Sequence, residues 1–327
     1  MVLDENNNPH IVYSSNEGLK YTFFTGRTWL TQAVEKGRFV GQDPKIALDS
    51  QTKPHISYFF YDQKNDIRGL KYASYVDGNW KTMFVDKKGT NGSIAIDSKD
   101  RPHITYSVGP GVGHGYWDGN KWQIKTVNAI GDWRQYKELT PRDRFFGRTD
   151  VSMVLDSDDN PHIAYFDRLP GDLRYISLIN GEWKIEVVDS EGLVGLSPSI
   201  AIDEKGIVHI TYLQADNCDL KYAYRNKTDW EVYTVDKEKN TGCDSNIKLD
   251  RSNKPHILYQ RCNDEELKYA FFDGKWNIET IEKRKIGWTT AQSSKISLDL
   301  DIDGKPHISC YGNYKKALKY IYKQGDM

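Results

Sequence analysis

Residues 97–106 read DSKDRPHITY: an Asp, five intervening residues, then a His followed by Ile, Thr and Tyr. An Asp–His pair beside a Tyr would suit half of a catalytic site, a set of metal ligands or a structural pin. Repetition decides among these. DENNNPHIVY, DSQTKPHISY, DSDDNPHIAY, DEKGIVHITY, DRSNKPHILY and DIDGKPHISC are the same unit. Their histidines are His10, His55, His103, His162, His209, His256 and His307, spaced 45, 48, 59, 47, 47 and 51 residues apart. Each follows an Asp by six positions: Asp4, Asp49, Asp97, Asp156, Asp203, Asp250 and Asp301. A period of about 40–50 residues denotes a solenoid, a propeller or another array. Catalysis needs one site, whereas fold-building residues recur in every repeat. The pair therefore reads as a hydrogen bond across a tight turn.

Each repeat holds four strand-length segments bounded by Asp, Asn, Gly or Pro. The first is a run such as SIAID (93–97) or KIALD (45–49), and the second is PHISY or a variant of it. The third resembles LKYAY (220–224), and the fourth opens on a Trp and alternates, as in KWQIKTV (121–127) and EWKIEVV (182–188). The last two are joined by hairpin dipeptides, Asp77-Gly78, Asp118-Gly119, Asn180-Gly181 and Asp273-Gly274. No helix-length amphipathic segment intervenes. The expectation is an all-β, seven-bladed β-propeller with four-stranded antiparallel blades, a single domain over 1–327. Ser and Ala recur in the first segment (Ser93, Ala95, Ser199, Ala201), which places it at the crowded axis as strand A. The Trp segment is then strand D, at the rim. Trp strands begin only at Trp29, Trp80, Trp122, Trp183, Trp230 and Trp276, so the last blade is expected to lack its outer strand, and no strand is left to close the ring by exchange.

Bulk composition narrows the function classes. Net charge is −1 without a long basic run, so no field invites nucleic acid. No apolar run is long enough to span a bilayer. The chain opens MVLDENNNPH, with no signal-peptide pattern, and in mid-repeat, as a mature or excised part of a longer surface protein would. Cys218, Cys243 and Cys262 fall in loops of neighbouring repeats. A Cys218–Cys243 or Cys243–Cys262 disulfide would fit an oxidising compartment, and free thiols are the alternative. DLDIDG (299–304) imitates the start of a calcium loop, but position twelve, which needs a bidentate Glu, is Cys310. No metal site or cofactor is expected.

PHIxY, LKYAY and DGxW at this spacing resemble the repeats of bacterial and archaeal surface propellers, relatives of the BNR/Asp-box, sialidase-like group. The resemblance spans nearly the whole chain, and it implies the propeller fold and an extracellular or cell-surface location. DGNKW (118–122) resembles a degenerate Asp box, a structural turn. The group includes glycosidases, polysaccharide lyases, lectins and adhesion modules, so it does not fix an activity. The arginine triad and nucleophile pair of a sialidase are missing.

Function is expected where the repeats differ. The A–B and C–D turns are uniformly short, whereas the B–C and D–A connections vary and share one face. The longest, 128–150, holds Trp133, Arg134, Tyr136, Arg142, Arg144, Phe145, Phe146 and Arg148. Residues 282–295 add Lys283, Arg284, Lys285 and Trp288, residues 35–45 add Arg38 and Phe39, and the second blade adds Phe59, Phe60 and Tyr61. Aromatic planes beside Arg and Lys suit sugars, since rings stack on apolar sugar faces and cations bind carboxylate or sulfate. Arg38, Tyr61, Trp133, Arg134, Arg144 and Trp288 are the candidate ligand-binding residues. The bland alternative is that these loops pack over their own aromatics and cap the ring. His114 is the one histidine outside the repeat, and the reading places it at the base of the variable face near Tyr136 and Arg148. Those three form a lyase-like candidate constellation. Three functions stay open: a lectin-like module whose partner is a glycan, anionic or neutral; a lyase or glycosidase on an anionic glycan; and a protein-interaction scaffold.

Overall fold

The computed structural model describes residues 1–109, 111–128, 150–238, 241–261, 266–283, 296–312 and 317–322. Seven antiparallel sheets succeed one another along the chain, and neighbouring sheets pack face to face into a ring. Six have four strands, and the seventh has three among the described residues: Ile296–Leu300, Pro306–Gly312 and Ala317–Tyr322. The protein is a seven-bladed β-propeller. Strand order within every blade follows the chain, so each hairpin forms from adjacent sequence.

Residue type explains each layer. The second strand buries its Ile and its Tyr together on one face (Ile56 with Tyr58, Ile104 with Tyr106, Ile163 with Tyr165, Ile210 with Tyr212) and the residue between them, such as Thr105, Ala164 or Thr211, on the other. In the third strand the Leu, Tyr and Ala are buried likewise (Leu220, Tyr222, Ala223). Alternation on both faces follows from each blade being sandwiched between two others. Strand A does more than fit a narrow axis. Ser93 Oγ accepts from the Met153 backbone N–H at 3.2 Å, Ser152 Oγ from Ile200 at 3.3 Å, and Ser199 Oγ from Ile247 at 3.1 Å. Asn246 Oδ1 does the same for Leu298 at 3.0 Å. These bonds lace the third to seventh blades in succession around the axis.

The rim tryptophans are wedges between blades. Trp80, Trp122, Trp230 and Trp276 stand edge-on to Tyr21, Tyr72, Tyr175 and Tyr222 of the preceding blade, with ring centroids 5.2–5.4 Å apart. Trp29 meets Tyr320 in the same way at 5.4 Å, so the first blade packs on the seventh. The Leu3 N–H donating to Asp299 Oδ2 (2.8 Å) and the Ile302 N–H donating to Asn7 Oδ1 (3.3 Å) complete that junction. Among the described residues the first and seventh blades meet through packing and hydrogen bonds.

Candidate functional site

The two faces of the ring are built from different chemistry. On the A–B turn face, all seven repeat aspartates cap their own turn. Asp97 Oδ1 accepts from the Lys99 and Arg101 N–H groups at 2.9 and 2.8 Å, and its six counterparts do the same two and four residues on. The residue three after each Asp is left-handed: Asn7, Thr52, Asp100, Asp159, Gly206, Asn253 and Gly304. Asn, Asp and Gly tolerate that conformation best. In six repeats the His Nε2 lies 3.1–3.6 Å from the Asp Oδ2. The exception is His209, whose buried Nε2 has no hydrogen-bond partner. In every blade but the third the His Nδ1 meets a third-strand Tyr hydroxyl, as in His55–Tyr72 at 2.5 Å and His209–Tyr222 at 2.6 Å. The arrangement is satisfied by a neutral imidazole that donates to Asp and accepts from Tyr. Burial pushes His10, His55, His103 and His256 below their ordinary value against the pull of the aspartates. These are pins, as the repetition implies.

His114 belongs to this set, which corrects its expected place at the base of the variable face. It occupies the third-strand position that is Tyr in the other six blades, opposite Thr105, and is 6% exposed. Its Nε2 lies 3.3 Å from His103 Nδ1, and Trp183 stands edge-on to it at 5.4 Å, as the other tryptophans stand to tyrosines. Burial, and then the neighbouring His103, push it down to about 3. His114 is a neutral stand-in for tyrosine on the turn side of the blade.

The loop face carries a second repeated device. The residue six after each rim Trp is acidic in five of six blades, and it reaches the second-strand Tyr and third-strand Lys of the next blade. Glu35 meets Tyr58 and Lys71, both at 2.5 Å. Asp189 meets Tyr212 at 2.6 Å and Lys221 at 2.8 Å, and Asp236 meets Tyr259 at 2.7 Å and Lys268 at 2.8 Å. Glu282 meets Lys319 at 2.5 Å, with Cys310 in the Tyr place. Burial opposes ionisation of Asp189 and Asp236, but the lysine and tyrosine donors outweigh it and hold both carboxyls below their ordinary value. Buried charges are tolerated when paired and bonded in this way.

The device fails on both sides of the third blade. Asp86 meets Tyr106 at 3.0 Å, but the lysine is replaced by Gly113, where a Cβ would stand 2.6 Å from the Tyr106 ring. At the next junction the acid is Asn128, whose side-chain amide donates to the Tyr165 hydroxyl at 2.7 Å. The lysine there is Arg174, and it turns to Asp167 (2.8 Å) and Asp172 (3.6 Å) of its own blade. Asp167 is 5% exposed, its Oδ1 has no hydrogen-bond partner, and burial raises its carboxyl above the ordinary value. A buried carboxyl that is incompletely paired and raised, at a departure from the repeat, makes Asp167 and Arg174 candidates for a site. Asp167 and Arg174 escaped the sequence reading. Their signal was the paired departure from the repeat, Asn128 for an acid and Arg174 for a lysine.

Of the sequence-expected ligand residues, Arg38 and Tyr61 lie on this face. Arg38 is exposed, with its guanidinium 5.1 Å from the centroid of the Phe39 ring. Phe39 is 40% exposed and left-handed (φ 66°), a strained state for an aromatic residue. The Gly41 N–H donating to the Phe59 carbonyl (3.1 Å) ties this loop to the end of the second strand, where Tyr61 pairs across the ladder with exposed Arg68. Phe60 instead packs inward, under the Lys71 ammonium at 4.1 Å and against Phe84. Trp133, Arg134, Tyr136, Arg144, Arg148 and Trp288 lie outside the described residues. Cys243 is disulfide-bonded and Cys218 is a free thiol, so the Cys218–Cys243 pairing is excluded; Cys262 lies outside the described residues. In DLDIDG, Asp301 caps its turn and Asp299 pairs with Lys248 at 3.1 Å, and no metal-binding cluster exists among the described residues. Asp118 of the Asp-box-like turn accepts from Gln123, Lys121 and Asn120, which hold it near 2. No described helix is long and apolar enough to cross a membrane.

No family profile matches the sequence, and no curated protein matches it by sequence. Solved structures do match in shape. The fold is similar to that of a PL25 ulvan lyase bound to -[GlcA(1-4)Rha3S]-, with TM-score 0.64, 13% identity, and 98% of this chain and 90% of that one covered. It is similar to a putative 6-phosphogluconolactonase from Bacteroides fragilis (TM-score 0.60, 8% identity, 97% and 90% covered). A fucoside complex of the Aleuria aurantia lectin matches with TM-score 0.52 and 11% identity over 87% of this chain and 95% of that one. At these identities the likeness establishes the propeller.

Proposed function

We propose that the chain is an extracellular glycan-binding propeller whose site lies on the B–C/D–A loop face over blades two to four, and that its ligand is anionic. The carrying observation is the failure of the Tyr–acid–Lys device on both flanks of the third blade. Among the described residues the acid–Lys pairing is kept by Glu35, Asp189, Asp236 and Glu282 and is lost on both flanks of the third blade, where Asp167 and Arg174 form a pair of their own. Beside that sector, Phe39 and Arg38 offer an apolar plane and a guanidinium, the two features that take a sugar ring and its carboxylate or sulfate. Shape neighbours that bind or cleave saccharides support the ligand class. The Cys243 disulfide supports an oxidising, extracellular setting.

The test is binding to a panel of uronate- and sulfate-bearing oligosaccharides with neutral ones as comparison. Binding of an anionic member that Phe39→Ala and Arg38→Ala each weaken by tenfold or more is the expected result. No binding to any acidic glycan refutes the reading. Cleavage is the second reading, favoured by the 98% coverage of this chain in the ulvan-lyase match. It requires unsaturated uronate to appear when a uronate polymer is incubated with the protein.

A further inference from the structure

A cavity of about 400 Å³ opens on the turn face between the first and second blades. That volume falls in the range of small-ligand sites, about 300–1,000 Å³. Phe23, Phe24 and Tyr75 give it apolar walls, and exposed Lys53 of the second A–B turn borders it. The junction between the fourth and fifth blades shows how the chain can fill such a slot by itself. There Glu186 takes the place of Gln32, and Arg225 that of Tyr75. The two pair at 3.0 Å, the guanidinium lies 5.8 Å from the centroid of the Tyr175 ring, and Glu186 also accepts from the Trp230 indole at 3.3 Å. At the first junction the indole contact is kept, with Trp80 donating to Gln32 Oε1 at 3.0 Å, but both charges are gone. Tyr75 leans instead on its own Trp80, at 5.3 Å.

Three polar groups around the space are left uncommitted. With Gln32 Oε1 on the indole, the amide NH2 has no acceptor among the described residues, and the Tyr75 hydroxyl has no partner there either. Lys53 likewise meets no carboxylate among the described residues. Where other A–B turns carry a base at its place, that base is paired: Arg101 with Asp97 at 2.6 Å, Lys254 with Asp273 at 2.7 Å and Lys305 with Asp303 at 3.8 Å. All three uncommitted groups can donate. Asp4, which also lines the cavity, is engaged in its own turn by the Asn6 and Asn8 N–H groups and the Asn8 side-chain amide.

We propose that this cavity is a second saccharide site, for a single acidic pyranose unit. The apolar face of the sugar lies against the aromatic walls, its hydroxyls meet the Gln32 amide and the Tyr75 hydroxyl, and its carboxylate rests on the Lys53 ammonium. An aromatic acid would use the walls and the ammonium but leave Gln32 and Tyr75 unpaired, so the polar groups select a sugar. The site is on the face opposite the one proposed above and does not depend on that reading.

The probes are methyl glucuronide, methyl glucoside and benzoate, titrated by ligand-observed NMR. The glucuronide should bind saturably, and at least tenfold more tightly than the other two. Lys53→Met should erase its advantage over the glucoside; Lys53 is exposed and unpaired, so that variant should fold. The fourth-to-fifth junction supplies a second variant: Gln32→Glu with Tyr75→Arg should install the ion pair, abolish binding and leave the thermal midpoint at or above that of the parent. Arg38→Ala and Phe39→Ala, on the loop face, should leave glucuronide binding unchanged, which separates failure of this site from failure of the other. No glucuronide binding, an advantage over the glucoside that survives Lys53→Met, benzoate binding as tight as that of the glucuronide, or binding that persists in the folded double variant would each overturn the proposal.

Discussion

Replacing His114 by tyrosine separates a structural imidazole from a chemical one. The slot is shaped for tyrosine: Trp183 lies 5.4 Å from His114, and the other tryptophans lie 5.2–5.4 Å from theirs. The His103–His114 centroid distance of 5.3 Å is shorter than the 5.8 Å of His55–Tyr72, so modest relaxation admits the larger ring. His114→Tyr should therefore lie within about 1 kcal/mol of the parent at pH 7, since it exchanges one buried hydrogen bond for another. His114→Ala removes the ring beneath Trp183 and strands His103 Nδ1, and should cost about 2–4 kcal/mol. The pH dependence is the sharper test. An unfolded histidine takes up a proton below about 6.5, whereas folded His114 stays neutral down to about 3. Between those values the unfolded state binds the extra proton, so stability falls as pH falls. From pH 7 to pH 5 that loss is about 2 kcal/mol for this residue, at 1.36 kcal/mol per unit. Urea unfolding at both pH values should show His114→Tyr gaining on the parent by about that amount. A gap that does not change with pH, or a tyrosine variant as unstable as the alanine one, would refute the reasoning.

Other outcomes follow from the same junctions. Asp236→Asn leaves the Lys268 ammonium buried without its full counter-charge, and should cost about 3–5 kcal/mol in denaturant, with part recovered by adding Lys268→Met. Because Asp189 and Asp236 are held below the ordinary carboxylate value, the stability they contribute is complete above about pH 4 and is lost as pH falls further, a second acid transition below that of the histidines. Trp276→Ala should cost about 3–5 kcal/mol by thermal unfolding, as it opens the junction against Tyr222. Ser199→Ala, which removes only the acceptor for the Ile247 N–H, should cost about 1–2 kcal/mol and speed exchange of that amide. A reductant that opens the Cys243 disulfide should lower the denaturation midpoint, while Cys218→Ser leaves it in place.

The scaffold was legible because its parts recur at fixed spacing. Asp97 and His103 gain their meaning from six copies, and Trp122 and Asp118 from theirs. The loop-face device was less visible. Its acid varies among Glu35, Asp86 and Asn128, and its lysine looks like an outward residue of an alternating strand, although the next blade covers it. His114 was misplaced because VGHGY replaces LKYAY at four of five positions, which hides the register. Counting back eight residues from Trp122 reaches His114, as the same count reaches Tyr72 from Trp80 and Tyr175 from Trp183. Ligand residues on the loops have no such ruler. Arg38 and Phe39 could be nominated by chemistry alone, while Asp167 and Arg174 needed the fold to show which partners were missing.

The A–B pins also bear on the order in which the molecule assembles. In six blades an Asp is tied to a His six residues away, and in six a His is tied to a Tyr 11–17 residues away, so a blade hairpin needs no distant segment to reach its final geometry. Strand laces between neighbours span 48–60 residues, still one repeat. Only the junction of first and last blades, with Leu3 on Asp299, joins residues 296 apart. Contact order is thus low everywhere except at one seam, and loop-closure entropy is charged once, at the end. Blades should acquire exchange protection in local groups, and the slowest phase of refolding should be the one that seats Trp29 on Tyr320.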